Sequence, residues 1–332
     1  EVTKCAPQQA IKNVGTAFQN FFRRVKQGGK PGYPKFKRKG QHDSFRADNG
    51  PADANSHAVE CIGKTIKLPR CGAVKMREAL RFTGRTLSAT VSKQADGWYV
   101  TLLVDTADIM SGPLGGGTVG VDLGLKNLAV LSTGEVLPPL KPHRALHSRL
   151  VRLSRSLSRK KKGSSNRAKA KTKLAKLHKR IADIRVDALH KLTHRLATEF
   201  DTIAIEDLNV KGMVRNRHLA RSVSDAGFGE FRRQLEYKAA MTGASVFIVD
   251  RFYPSSKTCS TCGEIHDLKL SNRVMVCGCG NVMDRDLNAA INLKNKAVSS
   301  TVTACGEDGS GRGGDTATKP ASVKQEDLST SC

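Results

Sequence analysis

Residues 118–132 read TVGVDLGLKNLAVLS, a β-strand, a tight glycine turn and a second strand. Asp122 stands inside the first strand among Val119, Val121 and Leu123. A carboxylate there is costly to desolvate unless it is solvated, paired or bound to a cation. The stretch therefore suggests a metal-binding acid presented at the edge of a core. An Asp beside the turn of an ordinary hairpin would read the same way, and the rest of the chain has to decide.

The chain has 332 residues, enough for two or three domains, and a formal net charge of +26. Such a balance calls for a polyanionic partner, and nucleic acid is the default. No apolar run approaches the roughly 18 residues of a membrane-spanning helix, and residues 1–20 lack the apolar core of a signal peptide. Five of the nine cysteines are scattered (Cys5, Cys61, Cys71, Cys305, Cys332). That usage fits a reducing cytoplasm better than a disulfide framework.

Residues 1–30 have helical spacing through Ala10, Val14, Phe18 and Phe22. GKPGYPKFKRKG (29–40) breaks the helix and interleaves Tyr33 and Phe36 with Lys35, Lys37 and Arg38. Rings among cations can stack on bases while the charges neutralise phosphates; a solvated basic loop is the alternative. Residues 44–106 read as short strands with a hairpin signal at QADG, suggesting a small antiparallel barrel or sandwich. SGPLGGG (111–117) reads as a flexible linker and domain boundary.

Residues 141–200 carry nineteen lysines and arginines against three acids. Leu146, Leu150, Leu153 and Leu157 form one apolar stripe, and Leu174, Leu177, Ile181, Ile184, Leu189, Leu192 and Leu196 another, with KKKGSSNR (160–167) as the loop between them. The pattern predicts a helical hairpin with its charges outward. The imbalance exceeds what i,i+4 pairing can compensate, so Lys160, Lys161 and Arg167 are candidate phosphate contacts. TIAIED (202–207) is a short strand ending in Glu206 and Asp207. An amphipathic helix over 228–241 follows, with Phe231, Leu235 and 237–239 towards a core, then the strand SVFIVD (245–250). Strand pair, helices, strand, helix, strand predicts an α/β domain with a mixed sheet.

Cys259 and Cys262 precede Cys277 and Cys279 across a 14-residue spacer. Two close pairs of thiolates suit a tetrahedral, structural Zn²⁺ site. A ribbon this small has little core, so the metal would supply its folding energy; the C-x-C second pair leaves open which sulfurs bind. His266 is a spare ligand or a loop residue. In MDRDLNAAINLKNKA (283–297), Asp284 reads as a helix N-cap and Asp286 as a first-turn acid, which the helix dipole alone would favour. Asp122, Glu206 and Asp286 could also converge on two Mg²⁺ ions about 3.5–4 Å apart, able to activate water and stabilise the leaving oxygen of a phosphodiester.

Four ordered segments carry a resemblance: GVDLGLKNLAVLS (120–132), IAIEDLNVKGM (203–213), YPSSKTCSTCG (253–263) and CGCGNVMDRDLNAAINL (277–293), with GYPKFKRK (32–39) in agreement. The chain resembles the TnpB/OrfB proteins of bacterial insertion sequences, named as probable transposases and related to the type V CRISPR nucleases. The resemblance implies an RNase H-like (RuvC) nuclease domain over 118–297, with the basic hairpin at 141–200 and an inserted zinc ribbon at 252–283. It also implies a β-barrel, wedge-like domain at 44–117 and a partial helical recognition segment at 1–43. Residues 298–332 are expected to be a disordered polar tail. The family's catalytic acids fall on Asp122, Glu206 and Asp286, and its zinc ligands on Cys259, Cys262, Cys277 and Cys279. The implied activity is RNA-guided, Mg²⁺-dependent cleavage of double-stranded DNA in the prokaryotic cytoplasm and nucleoid, with a guide RNA from the transposon end. Base pairing would then supply specificity. Family members begin with a further segment, so the expectation is a chain truncated at its N-terminus. Two other readings stand beside this one: a strand-transfer transposase using the same triad, and a zinc-ribbon nucleic-acid binder without catalysis.

Overall fold

The computed structural model describes residues 5–305, apart from 30, 39, 42, 51–57, 107–111 and 270. Lys30 and Lys39 of the basic loop, and the tail beyond 305, lie outside the described residues. Helix α1 (Cys5–Lys26) is amphipathic and buries none of its residues. Strands β1 (Ser44–Asp48), β2 (Glu60–Ile62), β3 (Thr65–Leu68), β4 (Gly72–Lys75), β5 (Arg85–Lys93) and β6 (Trp98–Asp105) follow. They form two three-stranded antiparallel sheets, β1-β5-β6 and β2-β3-β4. Ala47, Val59, Ile66, Leu68 and Ala89 pack between them. Asn49 ties the sheets together, because its amide donates to the Val59 and Thr86 carbonyls and accepts from the Val59 N–H. The β5–β6 hairpin closes around QADG, where the Gln94 N–H bonds the Gly97 carbonyl at 2.8 Å.

The glycine-rich segment that the sequence suggests is a flexible linker is held in its described part. Leu114 and Gly116 donate to the carbonyls of Thr198 and Glu199. A Cβ on Gly116 would lie 2.1 Å from the Glu199 oxygen, so glycine is what allows this approach.

The second half of the chain builds a five-stranded sheet. In order come β7 (Thr118–Leu123), β8 (Ala129–Leu131), β9 (Val136–Leu137), α2 (Pro142–Ala145), α3 (His147–Ser158) and α4 (Ser165–Glu199). Then follow β10 (Thr202–Glu206), α5 (Val210–Arg215), α6 (Ala220–Ala226), α7 (Phe228–Thr242), β11 (Ser245–Val249), β12 (Val274–Val276), β13 (Val282–Asp284) and α8 (Arg285–Cys305). The strand order is β11-β10-β7-β8-β9. β7, β8 and β9 run antiparallel, while β10 lies parallel to both β7 and β11. This is the mixed sheet that the element pattern predicts.

Strand alternation decides what covers each face. Val119, Val121, Ile203 and Ile205 join Leu189, Leu192 and Leu196 of α4 and Phe231 and Leu235 of α7 in one core. The opposite face of the central strands shows Gly120 and Ala204, which are paired in register. There α8 packs, with Leu293 and Ala297 in a cluster with Ala204 and Val249. A Cβ on Gly120 would lie 1.9 Å from the Ala290 carbonyl oxygen and 2.7 Å from the Lys294 nitrogen. Neither backbone atom can swing aside, so Gly120→Ala forces the whole helix outward. Overpacking of this kind costs about 1–3 kcal/mol or more, equivalent to a fall in melting temperature of roughly 4–10 °C. Thermal denaturation reads the effect, and an unshifted melt would mean that α8 does not seat on β7 here.

Four expectations need correction. Ile184 is 41 % exposed although it belongs to the α4 stripe by spacing; over a 35-residue helix the 3.6-residue period carries a straight stripe around the axis. Tyr237 is 37 % exposed, whereas Leu235, Lys238 and Ala239 face inward as expected and Gln234 joins them. Arg167 lies in α4 rather than in the preceding loop. Helix α8 runs through Cys305 and so crosses the 297/298 boundary. Ser299 and Ser300 bond back to carbonyls of Asn295 and Lys296 within it.

Candidate active site and zinc site

β7 and β10 are parallel neighbours in which Val121 pairs with Ile205. The next residue on each strand is an acid, Asp122 and Glu206. Adjacent strands are about 4.8 Å apart, so the two carboxylates sit side by side at one sheet edge, on the face that α8 covers. The third acid arrives on α8. Asp284 caps this helix, its Oδ1 accepting from the N–H groups of Asp286 (2.9 Å) and Leu287 (3.3 Å), as its sequence position predicts. Asp286 is thereby fixed in the first turn. Since α8 lies against Gly120, its start reaches Asp122.

The electrostatics record the convergence. The Asp122 carboxyl is pushed up to about 7, first by burial and then by the negative charges of Asp286 and Glu206, with Arg285 opposing. Burial also raises Glu206, partly countered by the Ser255 hydroxyl, which donates to Oε1 at 3.4 Å. Asp207, next along, plays a different part. Arg251 and Arg232 bond its two oxygens and hold its carboxyl below the usual range. Buried carboxylates such as Asp122 and Glu206, whose charged forms are disfavoured, are donors suited to a cation.

The ribbon between β11 and α8 gathers all four cysteines predicted to bind metal. Their sulfurs all lie within 4.8 Å of one another. Cys259 and Cys279 are 3.7 Å apart, and Cys262 and Cys277 3.5 Å. Zn–S bonds of about 2.3 Å in a tetrahedron require S–S edges of about 3.8 Å, so the thiols fit zinc without rearrangement. The Cys262 backbone N–H, aided by the Asn281 amide and opposed by burial, draws the Cys259 thiol down to about 5, whereas Cys262 and Cys277 are held up, so without a cation the four sulfurs do not ionise together. Glu264, His266 and Cys277 form a second tight set that shares one sulfur, so His266 stands beside the cluster. Among the described residues, Asp122, Glu206 and Asp286 form no set so tight.

The candidate nucleic-acid residues are dispersed. Phe36 is 99 % exposed, and Lys35 and Arg38 are also exposed. Lys37 bonds Ser44 at 2.8 Å. The Tyr33 ring packs edge-on against Phe18 and Phe21 of α1. Lys161 is exposed, whereas the Lys160 and Leu157 carbonyls accept from the Arg167 guanidinium. Arg167 thus closes the α3–α4 hairpin. Gly120, Ser255 and Arg285 go unnoticed in the sequence, where a glycine inside a strand is the one available signal of a close backbone approach.

Comparison with known proteins agrees with this layout. Residues 101–217 match the OrfB_IS605 family, described as "Probable transposase", and residues 228–293 match "Cas12f1-like, TNB domain". A Streptomyces pristinaespiralis protein named "Putative RNA-guided DNA endonuclease" is 38 % identical over 331 residues, spanning 98 % of this chain and 79 % of its own length. The Escherichia coli K12 protein "Putative RNA-guided DNA endonuclease InsQ" is 34 % identical over 319 residues, spanning 90 % and 75 %. The cryo-EM structure of a Cas12f1–sgRNA–target DNA complex superposes with a TM-score of 0.51 at 16 % identity, covering 83 % of this chain and 68 % of that one, a shared fold. With such identity to relatives over nearly its whole length, the chain belongs to the TnpB/OrfB family of insertion-sequence proteins.

Proposed function

We propose that this chain is an RNA-guided, Mg²⁺-dependent DNA endonuclease with an RNase H-like (RuvC) centre formed by Asp122, Glu206 and Asp286. The observation that carries the reading is the placement of these acids. Two leave adjacent parallel strands at the same level, and the third is delivered by a capped helix seated on Gly120. In this reading 118–297 is the nuclease domain with its ribbon at 252–283, 44–117 a wedge-like domain, and 1–43 part of a recognition lobe.

Bound Mg²⁺ ions would activate water and stabilise the leaving oxygen of the phosphodiester. Asp122 is near enough to both other acids to feel their charges, and so would contribute to any ion held there. Ser255 orients Glu206, and Arg285 offsets part of the negative charge near Asp122. The four cysteines would hold Zn²⁺ away from the reaction as a structural ion.

A basic cavity offers a place for the substrate's phosphates. This open cavity of about 830 Å³ is lined by Lys141, Arg144, Arg217 and Arg221, with Asp225 the acid among its lining residues. Gly124 and Arg217 in its wall come from the segments that follow β7 and β10. None of Asp122, Glu206 and Asp286 lines it, so in this reading it holds phosphates flanking the cut. The triple change Arg144→Ala, Arg217→Ala and Arg221→Ala should weaken single-stranded DNA binding and flatten its log K against log salt slope by about 2. A parallel slope would remove the cavity from phosphate binding. No helix among the described residues is long and apolar enough to cross a membrane.

The function is tested with protein loaded with RNA transcribed from the element's end and a matching duplex. Cleavage in Mg²⁺ that EDTA stops supports the reading. Strand-joined products from a supplied 3′-OH end would make the protein a transferase instead.

A further inference from the structure

Two asparagines of α8 connect the zinc ribbon to the acids. Asn288 and Asn292 lie about one turn apart and are 0 % and 3 % exposed. The Asn292 amide donates to the carbonyls of Ser255 at 2.8 Å and Thr258 at 2.6 Å. The Asn288 amide donates to the same Thr258 carbonyl at 2.7 Å, and its oxygen accepts from the Ser260 N–H at 2.9 Å. Thr258 and Ser260 flank Cys259, so both amides grip the first cysteine knuckle. Ser255, held by Asn292, presents its hydroxyl to Glu206. Asp286 lies two residues before Asn288 on the same helix.

Buried amides are a poor choice for packing alone. On the same helix Ala290 and Leu293 seat against the sheet with no buried polar side chain, and asparagine is a weaker helix former than alanine or leucine. The carbonyl and N–H groups that these amides satisfy all belong to residues 255–260. An unfilled ribbon would leave those groups without a fixed position. Glu206 would then lose its oriented hydroxyl, and α8 the anchor that sets the height of Asp286.

We propose that Asn288 and Asn292 are positioning residues that couple zinc occupancy of the ribbon to the divalent-cation affinity of the acid site. The proposal rests on the reading of Asp122, Glu206 and Asp286 as cation-binding acids. By linkage the coupling is reciprocal, so a cation bound at the acids also tightens zinc. The partners that orient metal ligands typically carry 10- to 100-fold in affinity.

The test is Mn²⁺ binding to the full chain, followed by electron paramagnetic resonance and taken as the part that Asp122→Asn abolishes. Zinc content and circular dichroism are measured on the same samples. Asn292→Ala is expected to keep its zinc and its helix signal while binding Mn²⁺ about tenfold more weakly. Stripping zinc from the parent should give a similar loss. Stripping it from Asn292→Ala should add less than about twofold, because the connection is already cut. Ser255→Ala, which spares the helix, should show the same non-additivity and stands in if Asn292→Ala fails to fold. Additive losses, or unchanged Mn²⁺ binding in either variant, would overturn the coupling alone. No Asp122-dependent binding in the parent would overturn the acid-site reading and the coupling with it.

Discussion

Asp122→Asn is expected to cut a guided target at least about a thousandfold more slowly than the parent, yet to melt at a higher temperature when no metal is present. The rate loss follows from removing the carboxylate on which the charges of both Glu206 and Asp286 act. Metal-based charge stabilisation contributes several kcal/mol to such transition states, and each 1.36 kcal/mol is tenfold in rate. The gain in stability has the opposite origin. Burial and the two neighbouring acids raise the Asp122 carboxyl from 3.8 to about 7. The native state therefore holds this proton more tightly than the unfolded chain does. Stability from this group is intact below about pH 4, falls as pH rises towards about 7, and is flat above. At pH 8 without metal the penalty is on the order of 2–4 kcal/mol, or roughly 4–10 °C in a domain of this size. Asn removes it. The melting difference should vanish at pH 4 and shrink when Mg²⁺ neutralises the parent's site. Equal melts at pH 8 would mean that neither burial nor the neighbouring acids raise the Asp122 carboxyl.

Cys259→Ser is the second large effect, and it should separate the ribbon from the rest of the domain. Ile265, Val274, Val276 and Val282 of the ribbon are all exposed, and Met275 is a fully buried apolar side chain there. So little apolar burial cannot offset the entropy of ordering the segment. Structural zinc supplies about 10–16 kcal/mol in comparable small folds. Without one thiolate, bound zinc should drop from one equivalent to well below half. Limited proteolysis should then cut between 259 and 281, while the sheet core around Leu189, Phe231 and Leu235 stays protected. A ribbon that resists protease without zinc would show that hydrogen bonds such as those of Asn288 and Asn292 suffice.

The residues of the candidate sites were legible in the sequence where they depended on local pattern. Asp122 and Glu206 each end or interrupt an apolar run, Asp284 and Asp286 sit at a helix start, and the cysteines come in close pairs. What decides the site is not local. The register that sets Asp122 beside Glu206 joins strands more than 80 residues apart. The crossing at Gly120 depends on a helix that begins at Arg285. The amide partners of Asn288 and Asn292 lie about thirty residues earlier. Composition misled at residues 112–117, where glycines that read as flexibility instead allow close backbone approach to α4. Arg167 has a structural part that spacing does not show, since its guanidinium bonds the Leu157 and Lys160 carbonyls across the hairpin turn.

The central claim is that a divalent cation is held among Asp122, Glu206 and Asp286. Replacing Mg²⁺ with Fe²⁺ and adding ascorbate and peroxide generates hydroxyl radicals at the ion, which cut the nearest backbone. With zinc retained in the ribbon, scission should cluster at three separated places, around 122, 206 and 286, and should disappear in Asp122→Asn. Scission confined to the ribbon, or spread unchanged in Asp122→Asn, would contradict a metal centre at these acids.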